Sequence, residues 1–286
     1  MRQLLFIPIL LIMACAKDEP IIVSDNIAPP DQTIDRVIKE NYINKLYISL
    51  LGREPNTSEF NEANTLLGSD VSLQSRKQVI DIVLSNEEYY INLYRVFRQD
   101  YLNGIDTNDI REDYIILFEN LLEDETNPFV IEEYEESLNN LYLLNSTADD
   151  LISGQANVVD VHHRCVNNIL YDELNMGSFN YVVSIYQNFL HRYPTEYELD
   201  NGIIMVDGEQ SICFEQNGDS KNDFNSLFFE HNGYYEGQII SVYNKLLFRD
   251  PTTLEISELI QSFKQNKDYQ SLQKRILTTD EFLGIE

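Results

Sequence analysis

A short phrase that occurs three times constrains the fold of this chain more than any other feature of its sequence. It reads YISLLGREPNTSE over residues 47–59, YQNFLHRYPTEYE over 186–198 and YNKLLFRDPTTLE over 243–255. The positions shared by all three copies are Tyr47, Leu51, Arg53, Pro55, Glu59, Tyr186, Leu190, Arg192, Pro194, Glu198, Tyr243, Leu247, Arg249, Pro251 and Glu255. Such a repeat predicts that the chain folds as a series of similar modules.

Within each copy, the spacing predicts a helix, a sharp corner and a second helix. Tyr and the Leu four residues later share one helical face, so both can enter a core. The Arg falls in the last turn, where a cation suits the helix dipole, and the proline then ends the helix. A capping box follows each proline, in the pairs Asn56 and Glu59, Thr195 and Glu198, and Thr252 and Glu255. We expect each Arg to be structural and to bond backbone carbonyls or a capping-box Glu.

Each module closes on a polar turn that separates an apolar residue from an aromatic residue five positions later. The three pairs are Leu84 and Tyr89, Phe229 and Tyr234, and Leu277 and Phe282. These signals predict module 1 over residues 33–103, module 2 over 178–238 and module 3 over 239–286. The few Gly and Pro, the scarcity of alternating runs and the frequent i, i+3, i+4 apolar spacing favour an all-α fold of tandem helical modules.

The middle segment, residues 104–177, keeps helical patterning but lacks the Arg and Pro of the repeat. Phe118, Leu121 and Leu122 lie where a degenerate fourth copy would place its Tyr and Leu. The acidic run over residues 132–136, which surrounds Tyr134, is typical of the solvated face of a helix.

The first residues predict export and lipid anchoring. Residues 1–14 combine one Arg, an apolar run and a small last residue, which is typical of a signal peptide. Ile12, Met13, Ala14 and Cys15 resemble the bacterial lipobox, although Met13 stands where a small residue is usual. The resemblance implies lipidation of Cys15, and the alternative is an ordinary cleaved signal with a free cysteine.

A charged segment and a tether follow. Residues 16–19, AKDE, resemble the lysine-plus-acidic signal that sends some Gram-negative lipoproteins to the outer leaflet of the outer membrane, and the alternative is a solvated linker. Residues 15–32 as a whole are interpreted as the lipidated cysteine and a flexible tether. We expect a surface-exposed protein attached to the outer membrane by its lipid.

The charge balance limits the partners. The formal net charge of −28 repels nucleic acid and disfavours binding of anionic lipid through a basic patch. Attachment to the membrane should therefore rest on the lipid at Cys15. The acidity is interpreted as a source of solubility, with binding of divalent cations or of a basic partner as the alternative.

One short cluster of His and Cys has residue types that bind metals. His162, His163 and Cys165 cannot all face one point on a helix, and no second pair with zinc spacing follows, so no metal is expected. A disulfide between Cys165 and Cys213 is left open. The polar segment 207–223 carries oxygen ligands without the spacing of an EF-hand loop, which favours a flexible loop.

The repeat resembles a known family. The phrase Tyr47–Pro55 and the turns Ser85–Tyr89 and Thr279–Phe282 resemble the bacterial helical domain of unknown function numbered 4214, and similar phrasing occurs in phycobilisome linker domains and in a domain of unknown function numbered 1549. In the later copies, His191 and Phe248 replace Gly52 of the G-R-x-P signature. The resemblance implies a helical module of secreted and surface proteins, often in tandem, and it implies no catalytic residue.

No catalytic motif emerges from the sequence. It has no G-x-S-x-G elbow, no H-E-x-x-H, no phosphate-binding glycine loop and no C-x-x-C-H. We expect no cofactor, and the first hypothesis is a non-enzymatic surface lipoprotein that acts as a protein-interaction or accessory subunit. The alternatives are an extracellular carbohydrate-binding module with exposed Tyr platforms and an unrecognised hydrolase that uses carboxylates.

Overall fold

The computed structural model describes residues 32–123 and 128–285. The predicted signal peptide, the lipidation site Cys15 and nearly all of the tether lie outside these residues. The predicted all-α fold is confirmed: the described part of the chain contains sixteen helices and a single short hairpin of two strands. No helix in this part is both long and apolar enough to cross a membrane.

Each predicted range contains several helices. Module 1 contains α1 (Gln32–Leu51), α2 (Thr57–Leu67), α3 (Leu73–Leu84) and α4 (Glu87–Tyr101). The middle segment contains α5 (Thr107–Glu123), α6 (Pro128–Asn145), α7 (Thr147–Ser153), α8 (Val158–Val166) and α9 (Ile169–Leu174). Module 2 contains α10 (Ser178–Leu190), α11 (Glu196–Val206), β1 (Ser211–Cys213), β2 (Gln216–Gly218) and α12 (Lys221–Glu230). The remaining helices are α13 (Asn232–Leu247), α14 (Thr253–Asn266), α15 (Tyr269–Leu277) and α16 (Asp280–Leu283).

One helix belongs to two modules. Helix α13 runs through the predicted boundary between residues 238 and 239. Its first turn carries Tyr234, the closing aromatic of module 2, and its last turns carry Tyr243, the first signature residue of module 3. Modules 2 and 3 therefore share a helix, whereas module 1 has α4 for its closing aromatic and α1 for its signature Tyr.

The aromatic residues of the repeats form the core. The signature residues Tyr47, Tyr186 and Tyr243 are 5% exposed or less. The closing residues are equally buried: Leu84, Tyr89, Phe229, Tyr234, Leu277 and Phe282. Because each module has one apolar stripe on each helix, the helices bury these stripes against one another in a continuous core.

Modules 1 and 3 pack directly against each other, α1 against α16 and α3 against α15. The Tyr42 hydroxyl donates to the carbonyl of Leu277 at 3.3 Å. The Gln270 amide donates to the carbonyl of Leu84 at 3.0 Å. Since Leu84 and Leu277 are equivalent closing residues, each of the two modules satisfies a carbonyl in the closing turn of the other.

The polar segment 207–223 differs from the flexible loop predicted for it, and that prediction is wrong. Strands β1 and β2 pair antiparallel, with Ser211 opposite Gly218. The connection between them carries Phe214, whose ring lies 5.7 Å from that of Phe228 and 6.2 Å from that of Tyr186. A partly buried aromatic side chain that packs against module 2 thus orders a segment whose composition is otherwise typical of a loop.

Candidate functional site

The Arg of each repeat joins the helical corner to the capping box of the next helix. Arg53 Nη1 and Nη2 donate to the two oxygens of Glu59, both at 2.8 Å. Arg53 Nη1 also donates to the carbonyl of Glu54 at 3.1 Å. The Glu59 carboxylate in turn accepts the backbone N–H of Asn56 at 2.7 Å. One carboxylate therefore fixes both the guanidinium and the start of α2.

The same arrangement occurs at the other two corners. Arg192 donates to Glu198 at 2.8 and 2.6 Å, and Arg249 donates to Glu255 at 3.0 and 2.7 Å. Hydrogen bonds from the guanidinium groups lower the pKa of both carboxyls to about 2. These carboxyls are therefore ionised at neutral pH and are bonded to the arginines of their corners. Neither is suited to act as a general acid.

The residue before each Arg has a left-handed backbone conformation. Gly52 has a φ of 72°, His191 of 54° and Phe248 of 56°. This geometry lets the chain turn before the proline, and it favours glycine. The departure of His191 and Phe248 from the G-R-x-P signature thus leaves the corner geometry unchanged.

His162, His163 and Cys165 all lie on helix α8. In the ranges 32–123 and 128–285, no group of three or more His, Cys, Asp or Glu is arranged to hold a metal ion. Cys165 and Cys213 are both buried free thiols, and burial raises their pKa to about 12 and about 11. His163 is partly buried on α8, beside Phe229.

His162 lies at the centre of the aromatic core. Its Nδ1 lies 2.7 Å from the Tyr234 hydroxyl, and its ring is 4.3 Å from that of Phe97 and 5.3 Å from that of Phe189. Burial lowers the pKa of His162 well below its ordinary value. These contacts join the middle segment to modules 1 and 2 and explain why this histidine is a neutral core residue.

An acidic groove of about 560 Å³ lies between α6, the α8–α9 turn and the start of α12. Glu133, Glu136 and Asp172 line it, together with amide and hydroxyl side chains. Asp172 forms an ion pair with Lys221, which neutralises one of the acids of the groove.

The carboxyl groups of the described residues whose pKa is shifted lie elsewhere, and in each the pKa is lowered. They are Glu59, Glu198, Asp223, Glu255 and Glu281.

The α5–α6 hairpin exposes an unusual amount of apolar surface. Helix α5 packs mainly against α6, through a face that buries Ile110 and Leu117. Ile115, Phe118 and Leu122 recur at spacings of three and four residues, so they share another face of α5. Together with Ile116 they are between 44% and 56% exposed.

We call these four exposed side chains, Ile115, Ile116, Phe118 and Leu122, the α5 apolar face. Charged side chains flank it on α5, where Arg111, Glu112 and Glu119 are exposed. The four Glu of the run 132–136 on α6 are also exposed, so the predicted solvated face of α6 is present, with Tyr134 half-buried beneath it. An exposed apolar strip with charged flanks is typical of a surface that another protein covers.

Sequence reasoning assigned Phe118 and Leu122 to a degenerate repeat and missed their exposure. The structure places them in solvent, whereas the corresponding Tyr and Leu of module 1, Tyr47 and Leu51, are buried. A sequence signal was available, because residues 115–118 read IILF and four consecutive apolar residues cannot share one face of a helix.

No protein-family model matches the chain, no curated protein matches it, and no solved structure matches it. The resemblance to the domain of unknown function numbered 4214 therefore stays a prediction. The geometry of the described residues is the basis for the function proposed below.

Proposed function

We propose that this protein is a non-enzymatic lipoprotein of the outer-membrane surface, anchored through Cys15, and that it binds another protein through the α5 apolar face. The observation that carries the proposal is the exposure of Ile115, Ile116, Phe118 and Leu122 on a hairpin that extends from the repeats. Fully burying a large apolar side chain contributes about 1.5–3 kcal/mol, so covering the exposed half of each would contribute about 1 kcal/mol.

The charges around the face define the partner that it fits. Glu112, Glu119 and Arg111 flank the face, so acids outnumber bases there, and the chain as a whole carries a net charge of −28. A second copy of the same chain would bring like charges together, which disfavours self-association. The partner that fits is a protein with an apolar ridge bordered by Lys or Arg. We propose that this partner belongs to an outer-membrane assembly and that the present protein is its accessory subunit.

Two features favour this proposal over the alternatives. A carboxylate-dependent hydrolase whose general acid is a carboxyl needs that carboxyl to stay protonated near neutral pH, whereas the shifted carboxyls among the described residues all have a lowered pKa. A carbohydrate platform needs several exposed aromatic rings side by side. Of the three most exposed Tyr in the described chain, only Tyr193 and Tyr197 belong to one corner, between α10 and α11, and Tyr142 lies on α6.

The experiment is a mild crosslink and pull-down from intact cells, after a surface protease has established that the tagged protein is exposed. The test variant carries Phe118→Ser and Leu122→Ser. The matched control is Ile91→Ser, because Ile91 is a comparably exposed apolar residue of α4, at 53%. We expect the wild type and the control to recover the same outer-membrane protein in stoichiometric amount and the test variant to lose it.

The fold is not expected to change in either variant, since these side chains are exposed. Equal thermal midpoints would establish that any loss of capture comes from the surface. Equal recovery by all three proteins would contradict the role of the α5 apolar face. Recovery of nothing by an exposed wild-type protein would contradict the proposed function itself.

A further inference from the structure

The three repeat Arg differ in how many carboxylates they bind. Besides its capping-box Glu, Arg53 donates from Nε to Glu88 at 2.6 Å. Arg249 likewise donates from Nε and Nη2 to the two oxygens of Glu281, at 2.6 and 2.7 Å. In the described residues, Arg192 bonds only Glu198 and the carbonyl of Tyr193.

The backbone that supplies the second carboxylate is present in module 2. In every module the cap residue of the closing turn donates its N–H to the carbonyl three residues earlier, at 3.2 Å from Asn86, 3.1 Å from His231 and 3.0 Å from Thr279. The second carboxylate comes from the residue two positions after this cap, and in module 2 that residue is Gly233. Module 2 therefore lacks the acidic side chain and keeps the turn that would carry it.

Arg192 has the same orientation as its counterpart in module 3. Its guanidinium carbon lies 5.1 Å from the centre of the Tyr186 ring, and that of Arg249 lies 5.2 Å from the Tyr243 ring. Both are also held by a bidentate capping-box Glu. The Nε edge of Arg192 therefore points to the place where the second carboxylate lies in module 3, and its side chain is 45% exposed against 35% for Arg249.

The surroundings of this edge favour an anion from outside the chain. Lys264 Nζ bonds Asn232, next to Gly233, at 2.7 Å. Tyr193 and Tyr197, on either side of the corner, are 70% and 66% exposed, and such side chains contribute apolar contact area at interfaces.

We propose that the Nε edge of Arg192, beside Gly233, binds a carboxylate of a partner protein in the position that Glu88 and Glu281 occupy in the other modules. The carboxylate comes from an acidic side chain or from a chain terminus. This carboxylate site is separate from the α5 apolar face, so the inference goes beyond the proposed function and does not depend on it.

The first test supplies the missing carboxylate within the chain. A Cβ at Gly233 would lie 2.9 Å from Nδ1 of His231, which caps α13 by accepting the Gly233 N–H at 3.1 Å. The His231 ring must therefore shift in any variant with a side chain at 233, and this cost cancels when Glu and Gln variants are compared. We expect Gly233→Glu to have a higher thermal midpoint than Gly233→Gln, which has the same shape without the charge. When both carry Arg192→Gln, the difference should shrink to the small helix-dipole contribution of a Glu in the first turn of α13. Equal midpoints for the Glu and Gln variants, or a difference that Arg192→Gln leaves unchanged, would overturn the geometry.

The second test supplies the carboxylate from solution and observes the arginine Nε–H signals of the full-length protein by NMR. The probes are N-acetylglutamate α-amide for a side-chain carboxylate and N-acetyltyrosine for a terminal one, with N-acetyltyrosinamide as the uncharged control. We expect the Arg192 signal to shift saturably with one of the two acids, at a concentration roughly tenfold below that which shifts Arg36, a 71% exposed arginine.

The effective acid identifies the source of the carboxylate. The response of Arg192 should disappear in Gly233→Glu, where the site is already filled, and should persist in Gly233→Gln. A signal of Arg192 that moves in parallel with that of Arg36, or that moves equally in Gly233→Glu, would reduce Arg192 to an ordinary exposed arginine and overturn the proposal. Neither result depends on capture through the α5 apolar face.

Discussion

Replacing the repeat arginines one at a time measures what the helical corners contribute to stability. Exposed ion pairs contribute about 0.2–1 kcal/mol each, and bidentate geometry or a network raises this. Arg53 binds two carboxylates, and its side chain is 35% exposed. We therefore expect Arg53→Ala to lower the free energy of unfolding by about 1–2 kcal/mol, or roughly 2–4 °C of thermal midpoint for each kcal/mol.

The internal repeats provide matched comparisons for this experiment. Arg249→Ala should cost as much as Arg53→Ala, because Arg249 also binds two carboxylates. Arg192→Ala should cost about half as much, because Arg192 binds one. Arg36→Ala removes a single pair with Glu40 at 71% exposure and should change the unfolding free energy by less than about 0.5 kcal/mol.

The assay is urea unfolding of the four variants and the wild type, followed by circular dichroism at 222 nm. If Arg53→Ala unfolds at the same urea concentration as Arg36→Ala, the corner arginines contribute no measurable stability and the reasoning fails. If Arg192→Ala costs as much as Arg53→Ala, the second carboxylate has no energetic role.

Three further predictions test the backbone and the buried histidine. Phe248→Gly should stabilise the protein by about 0.5–1 kcal/mol in urea unfolding, since Phe248 is 86% exposed with a φ of 56°; a loss of stability would contradict this. Gly237→Ala should cost about 3 kcal/mol or more in the same assay, because its Cβ would lie 1.8 Å from the carbonyl oxygen of Phe189. Burial lowers the pKa of His162, so its contribution to stability is present above its unfolded pKa of about 6.5 and is lost as the pH falls. His162→Gln should therefore weaken the fall in unfolding free energy between pH 7 and pH 5, and an unchanged fall would refute this.

Features whose signals lie within a few residues could be predicted from the sequence. The corner after Arg53 depends on Pro55 and on a capping box between Asn56 and Glu59, and all of these residues lie within the short range 53–59. Helical periodicity predicted which face of α1 carries Tyr47, and Tyr47 is buried. The interaction surface could not be predicted in the same way, because a periodic apolar stripe has the same sequence pattern whether a neighbouring helix covers it, as for Leu117, or leaves it exposed, as for Phe118.

The sequence by itself therefore determined the helical class, the repeated corners and the aromatic core, because local sterics, hydrogen bonding and hydrophobic periodicity act over short stretches of chain. Only the tertiary structure decided that α13 belongs to two modules. It also decided that modules 1 and 3 are joined by hydrogen bonds to the carbonyls of Leu84 and Leu277. It also decided that Gly233 leaves Arg192 with one carboxylate. Arg53 and Arg249 each bind a second carboxylate that lies about 30 or more positions away in the sequence, and Arg192 does not. Whether residues so far apart in the sequence meet depends on how the helices pack.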